Sequence, residues 1–170
     1  MQGCQPAPYA AAKLDPPRLF EFLLRQCKPI ACRSGRYNQD DTLFINNEIK
    51  RLLEADIIIP ARSPLRAQVR RQPTKKEKRL VVDYSATVNR FTLLDAYPLP
   101  HIEDLVNNVA QDKYYSSLDL LSVYHQILLL SEEKHYTAFE AGGKLFQYKR
   151  LPFGVTNGVP TFQRAIDWVS

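Results

Sequence analysis

Ser117-Leu-Asp-Leu-Leu-Ser-Val-Tyr-His-Gln-Ile127 is the stretch on which the reading of this chain turns. Residues 114–120 have the apolar and aromatic character of a strand, with Asp119 near its end. An acid there either caps a following helix or faces a cleft. Tyr124, five residues on, reads on its own as an ordinary core tyrosine. Downstream, 127–130 and 136–140 read as further strands, and Gly142-Gly143 is a tight-turn signal pairing the latter with 145–151 as a hairpin. Leu151-Pro-Phe-Gly-Val-Thr-Asn157 then leads into a helix from about Val159, with Phe162, Ile166 and Val169 on one face.

Upstream the pattern is helical first. Pro16 and Pro17 precede a short helix over 18–25, the end of a lead spanning 1–27. Asp40 or Asp41 caps a helix running to about Asp56, in which Leu43, Phe44, Ile45, Ile49, Leu52 and Leu53 recur at helical spacing. Ile57-Ile-Ile59 before Pro60 is extended chain. Residues 80–84 form a strand, and the basic residues before it suit the arm and tip of a hairpin. A further helix over 101–110 carries Ile102, Leu105, Val106 and Val109 on one face. The expected fold class is α+β: helices, a basic hairpin, then an antiparallel sheet with helices on one side.

The 170 residues suit one ordinary domain, or one and a part. With 45% hydrophobic and 24% charged residues, the composition excludes a disordered tail, a collagen-like fibre and a disulfide scaffold. No apolar run approaches the ~18 residues of a membrane span, so no membrane partner is expected. The first twelve residues lack the pattern of a secretion signal. Cys4, Cys27 and Cys32 are too few for a disulfide framework, which favours a reducing, intracellular compartment, cytoplasmic or nuclear. No histidine stands near them at zinc spacing. The net charge of +5 is uneven: residues 62–90 carry nine Lys/Arg against Glu77 and Asp83, a local +7, and the remainder is at −2. Such a patch attracts phosphates; the plain alternative is a solvated hairpin.

Several local signals stand in one order: Ser63-Pro-Leu-Arg-Ala-Gln68, Val82-Asp-Tyr84, Asp95-Ala-Tyr-Pro-Leu-Pro100, the 117–127 stretch, Tyr136-Thr-Ala-Phe139, and Leu151 to Asn157 with Phe162-Gln-Arg164. Together they resemble the fingers and front half of the palm of reverse transcriptases, above all those of gypsy-type LTR retrotransposons and retroviral Pol polyproteins. The resemblance covers roughly 28–170, with fingers at roughly 40–95 and palm at roughly 96–170 of an incomplete right-hand polymerase fold.

What the resemblance implies can be stated residue by residue. Asp119 matches the first catalytic aspartate, a ligand of Mg2+; two such ions activate the primer 3′-hydroxyl and neutralise the transition state in the complete enzyme. Tyr124 matches the ring that crowds the 2′ position of an incoming sugar. Leu120 and Leu121 resemble residues whose backbone N–H groups face the triphosphate. Arg79 matches a fingers residue that grips the dNTP triphosphate, with Arg70, Arg71, Lys75 and Lys76 as nucleic-acid contacts. Phe153 and Gly154 resemble the loop lining the nucleotide pocket, Phe153 by packing and Gly154 by close backbone approach; plain core filling is an equal reading of Phe153. His101, His125 and Asp83 read as structural. The implied partners are an RNA/DNA template-primer, dNTPs and the remainder of a Pol polyprotein.

The chain departs from the family in two places. Arg70-Arg-Gln-Pro-Thr74 replaces the usual apolar strand and glycine turn, and Asn157-Gly-Val-Pro-Thr-Phe162 has its proline one place late. The family's aromatic-x-Asp-Asp turn does not occur in these 170 residues; Asp40-Asp41 precedes a helix and matches nothing catalytic. The expectation is a fragment of an RNA-directed DNA polymerase, inactive in isolation. The alternatives are a retroelement-derived nucleic-acid-binding module and a non-functional remnant.

Overall fold

The computed structural model describes residues 16–25, 28–73, 78–117 and 119–168. Helix α1, Gln39–Glu54, is capped by Asn38, whose side-chain oxygen accepts from the Asp41 amide at 2.7 Å. The cap is therefore Asn38 and not Asp40 or Asp41, which sit in the first turn where their charge suits the helix dipole. Ile45, Ile49 and Leu52 form its buried face. The chain then passes Asp56 into β1, Ile58–Pro60. β2, Ala67–Pro73, and β3, Lys78–Asp83, form the expected basic hairpin, with Arg70 opposite Val81 and Gln72 opposite Arg79.

β4, Phe139–Ala141, and β5, Lys144–Tyr148, form the second hairpin. Its turn requires positive φ at both central positions, +58° at Gly142 and +73° at Gly143, which glycine adopts without steric cost. The five strands make one sheet in the order β1-β5-β4-β2-β3. Three ladders are antiparallel; β2 and β4 are parallel, joined through a long crossover. Strands on both sides of residue 95 thus share one sheet. Phe139, Val69, Ile57, Ile58 and Tyr84 are almost fully buried at its centre. α2, Ile102–Val109, and α3, Gly158–Asp167, lie where expected. Pro160 stands in the first turn of α3, where its missing N–H leaves no helical bond unmade. Val169 lies outside the described residues.

Four further local expectations are corrected. Residues 18–25 form turns, not a helix, because tertiary partners take their backbone groups. The amides of Leu19 and Phe20 both donate to the buried Glu133 carboxylate at 3.0 Å, Leu24 N–H donates to Phe91 O, and Leu93 N–H donates to Phe22 O. Residues 114–117, 119 and 120 are irregular and exposed, not a strand. No described strand runs beside them, and a strand needs a partner for its backbone groups. Over 127–130 only one bridge forms, Leu128 with Arg150, although Ile127 and Leu129 are buried. Lys134–Thr137 is a 3-10 turn, so that strand begins only at Phe139.

Candidate active site

A cleft of about 770 Å³ is lined by Gln72 and Arg79 of the hairpin, Glu48 and Arg51 of α1, and Ser122, His125 and Phe153. The β2–β3 hairpin holds Arg79 at its exposed end, opposite Gln72. Leu151 and Pro152 are buried and anchor the turn that presents Phe153, itself 56% exposed. Two residues far apart in sequence that the resemblance assigned to one nucleotide pocket, Arg79 and Phe153, therefore line one cavity.

Tyr124 belongs to a 3-10 turn, Val123–Gln126. Its ring meets Phe153 edge-on at 4.6 Å and Phe162 of α3 at 5.6 Å. It is half-buried against the core, and that burial raises its phenol pKa. Gly154 has φ +90°, and a Cβ there would stand 3.2 Å from the Val82 carbonyl. The glycine thus lets the 153–156 loop lie directly on β3. Leu120 and Leu121 are exposed, and the Leu121 carbonyl accepts from Gln126 Nε2 at 2.9 Å.

Asp119 is exposed and has no hydrogen bond or ion pair to the described residues. Among the described residues, no three His, Cys, Asp or Glu side chains stand close enough together to hold a metal ion. Asp119 offers a single carboxylate, so the side chains described here do not by themselves make a cage for Mg2+. The basic hairpin is also partly neutralised: Arg71 pairs with Asp41, and Arg70 pairs with Asp83 at 3.1 Å. Lys75 and Lys76 lie outside the described residues.

The residues read as structural divide. Asp83 accepts from Ser85 hydroxyl and amide, and those bonds, with Arg70 nearby, lower its pKa. His125 packs between Tyr148 at 6.4 Å and Phe153 at 5.6 Å, and its carbonyl accepts from Arg150 Nη1 at 3.0 Å. Burial, helped by the cations Arg51 and Arg150, drives its pKa down to about 4, so the ring is neutral near pH 7. His101 is different: it is exposed at the start of α2 and makes no capping bond, so the packing role expected of it is corrected.

Sequence reasoning missed a set of side-chain links between 89–97 and 154–167. Asn89 Nδ2 donates to Gly154 O at 2.7 Å, and its Oδ1 accepts from Thr156 N–H at 3.0 Å. Asn157 Oδ1 accepts from Asp95 N–H at 3.0 Å, and its Nδ2 donates to Leu93 O at 2.9 Å. Arg164 grips the buried Asp95 carboxylate with both terminal nitrogens, and this bond lowers the Asp95 pKa. Tyr97 hydroxyl donates to Asp167. Partners some 70 positions apart leave no local signal: Asp95, Tyr97, Asn157 and Arg164 stood in quoted motifs, but nothing in those motifs marked them as partners, and Asn89 stood in none.

A family model described as reverse transcriptase (RNA-dependent DNA polymerase) matches residues 69–170. The Pol polyprotein of the Drosophila melanogaster transposon gypsy is 40% identical over 131 residues, 73% of this chain. The enzymatic polyprotein of cauliflower mosaic virus (strain CM-1841) is 33% identical over 145 residues, 82% of the chain. The chain spans only 13% and 21% of those two relatives. In fold it is similar to a foamy viral protease-reverse transcriptase solved with an RNA/DNA hybrid, with TM-score 0.78 and 24% identity. That match covers 91% of this chain and 20% of the viral one. The motif order, the shared sheet and these relatives agree: the chain, which matches a portion of retroelement Pol polyproteins, belongs to the reverse transcriptase family.

Proposed function

We propose that residues 28–170 build the nucleotide-facing side of a reverse transcriptase active site, whose complete protein copies RNA into DNA. The observation that carries this reading is the single cleft shared by Arg79 and Phe153, with Tyr124 packed edge-on beneath Phe153. In this reading Arg79 binds the triphosphate through its planar donors. Tyr124, held between Phe153 and Phe162, presents its ring to the 2′ position of the sugar. Backbone groups at Leu120 and Leu121 orient the phosphates. Reverse transcription depends on metal ions, and magnesium is the ion we propose, since hard cations prefer carboxylate oxygens. Asp119 would be one of its ligands, and the others must come from elsewhere in the polyprotein. The template-primer and dNTPs are the proposed substrates.

The alternative of a binding module that uses the basic hairpin draws less support, because Asp83 and Asp41 already engage Arg70 and Arg71. The test is a hybrid in which this chain is joined to the remaining palm and thumb of the gypsy relative. The hybrid is expected to extend a primer on an RNA template with magnesium. Asp119→Asn should abolish extension without lowering stability by more than about 0.5 kcal/mol, since the side chain is exposed. Tyr124→Ala should relax the discrimination against ribonucleotides. An active hybrid that tolerates Asp119→Asn overturns the assignment.

A further inference from the structure

We infer that Asn89 is a positioning residue for the Phe153–Gly154 loop, and so for the nucleotide pocket proposed above, on which this inference rests. Asn89 lies on the 3-10 turn Val88–Phe91, a few residues after β3, the strand that carries Arg79. Its amide reaches across 65 positions of sequence to the Gly154 carbonyl and across 67 to the Thr156 amide. One side chain therefore satisfies both a donor and an acceptor of the same loop. A planar amide bonded at both ends has no rotational freedom left, so the backbone it holds has little either.

The loop needs such a holder. It belongs to no strand or helix, and Gly154 adopts φ +90°, a conformation that glycine permits but does not enforce. Phe153 is more than half exposed, so packing alone does not fix it. What fixes the turn is the approach of Gly154 to the Val82 carbonyl on one side and the Asn89 amide on the other. Asn157 makes the reciprocal link, from the start of α3 to Leu93 and Asp95. The two asparagines stitch the segments together in parallel order, with Arg164 on Asp95 and Tyr97 on Asp167 as the next rungs. Of these side-chain links only those of Asn89 end on the 153–156 loop, so the effect on the pocket is assigned to it.

Asn89→Ala in the full chain tests this, with Glu133→Gln as a stability control, because Glu133 holds Leu19 and Phe20 and not the loop. Two quantities are measured well below the unfolding temperature: amide hydrogen exchange residue by residue, and the affinity for deoxythymidine triphosphate with magnesium by NMR titration. Asn89→Ala is expected to speed exchange at the Thr156 amide tenfold or more while amides within 162–166 of α3 keep their protection. It should also weaken triphosphate affinity about fivefold. Glu133→Gln should leave both unchanged even where it lowers the melting temperature as much. Unchanged Thr156 exchange in Asn89→Ala overturns the inference, and so does an affinity loss equal in the two variants, which would mark a purely structural role. If the loop loosens as expected but the unsubstituted chain shows no triphosphate binding, the holding role stands and the proposed pocket falls.

Discussion

The five-stranded sheet and the segment from Leu99 to Leu121 are equally apolar in sequence, yet they meet opposite fates. Phe139 in β4 is fully buried, whereas Ile102, Leu105, Val106 and Val109 all stand exposed on α2, Ile102 at 78%. Tyr114 and Tyr115 beside them are also exposed, Tyr114 at 93%, and α2 has no buried residue. The β4–β5 hairpin is closed by the Gly142-Gly143 turn, so each of its strands brings its partner, and α1 packs against β1 and β4. α2 and the segment up to Asp119 have no such neighbour among the described residues. Apolar periodicity thus announces a face but not what covers it.

That contrast can be broken most directly at its two extremes. Phe139→Ala is expected to cost about 3–5 kcal/mol in denaturant unfolding, the range for a buried aromatic whose cavity cannot collapse. A loss below 1 kcal/mol would mean that the sheet is not the stable core. Next in size, Glu133→Gln replaces a carboxylate that accepts two buried amides and should cost about 2–3 kcal/mol. Stability equal to the parent would show that residues 18–25 are held by other contacts.

A smaller effect comes with acid. The His125 pKa is depressed to about 4 in the folded chain, so the unfolded chain binds more protons between its ordinary pKa of 6.5 and that value. Stability is then full above about pH 6.5, falls as the pH drops through this window and levels off near pH 4. By pH 5 the loss should reach about 1–2 kcal/mol. His125→Gln should flatten the curve between pH 6.5 and 5; a curve of unchanged slope would rule out the buried neutral ring. Least of all, Leu105→Ser on α2 should change stability by less than about 0.5 kcal/mol. A cost of 2 kcal/mol there would mean that the α2 face is covered in solution, and would collapse the contrast between the two regions.

How much was legible follows the range of the interactions. The Gly142-Gly143 hairpin, α1, α2 and α3 could be read directly, because turn chemistry and helical periodicity act within a few residues. Asp119, Tyr124, Arg79 and Phe153 could be named because motif order marks them. That Arg79 and Phe153 line one cleft could not be read, since they share it only when the β2–β3 hairpin and the 151–154 turn are brought together.

The residues that decide local geometry were the least visible. Residues 18–25 carry a helical pattern, but the Leu24 amide, which a helix would bond to the Phe20 carbonyl, donates to the Phe91 carbonyl instead. Residues 114–120 carry a strand pattern that 114–117, 119 and 120 do not realise, for want of a neighbouring strand among the described residues. From the sequence alone came the family, the local elements with short-range signals and the candidate site residues. Tertiary structure alone decided the parallel pairing of β2 with β4, the asparagine links across more than 60 residues, and which apolar faces are covered. The physical reason is that a hydrogen bond or an apolar contact between distant residues depends on where the chain brings them, and neither partner carries a local mark of the other.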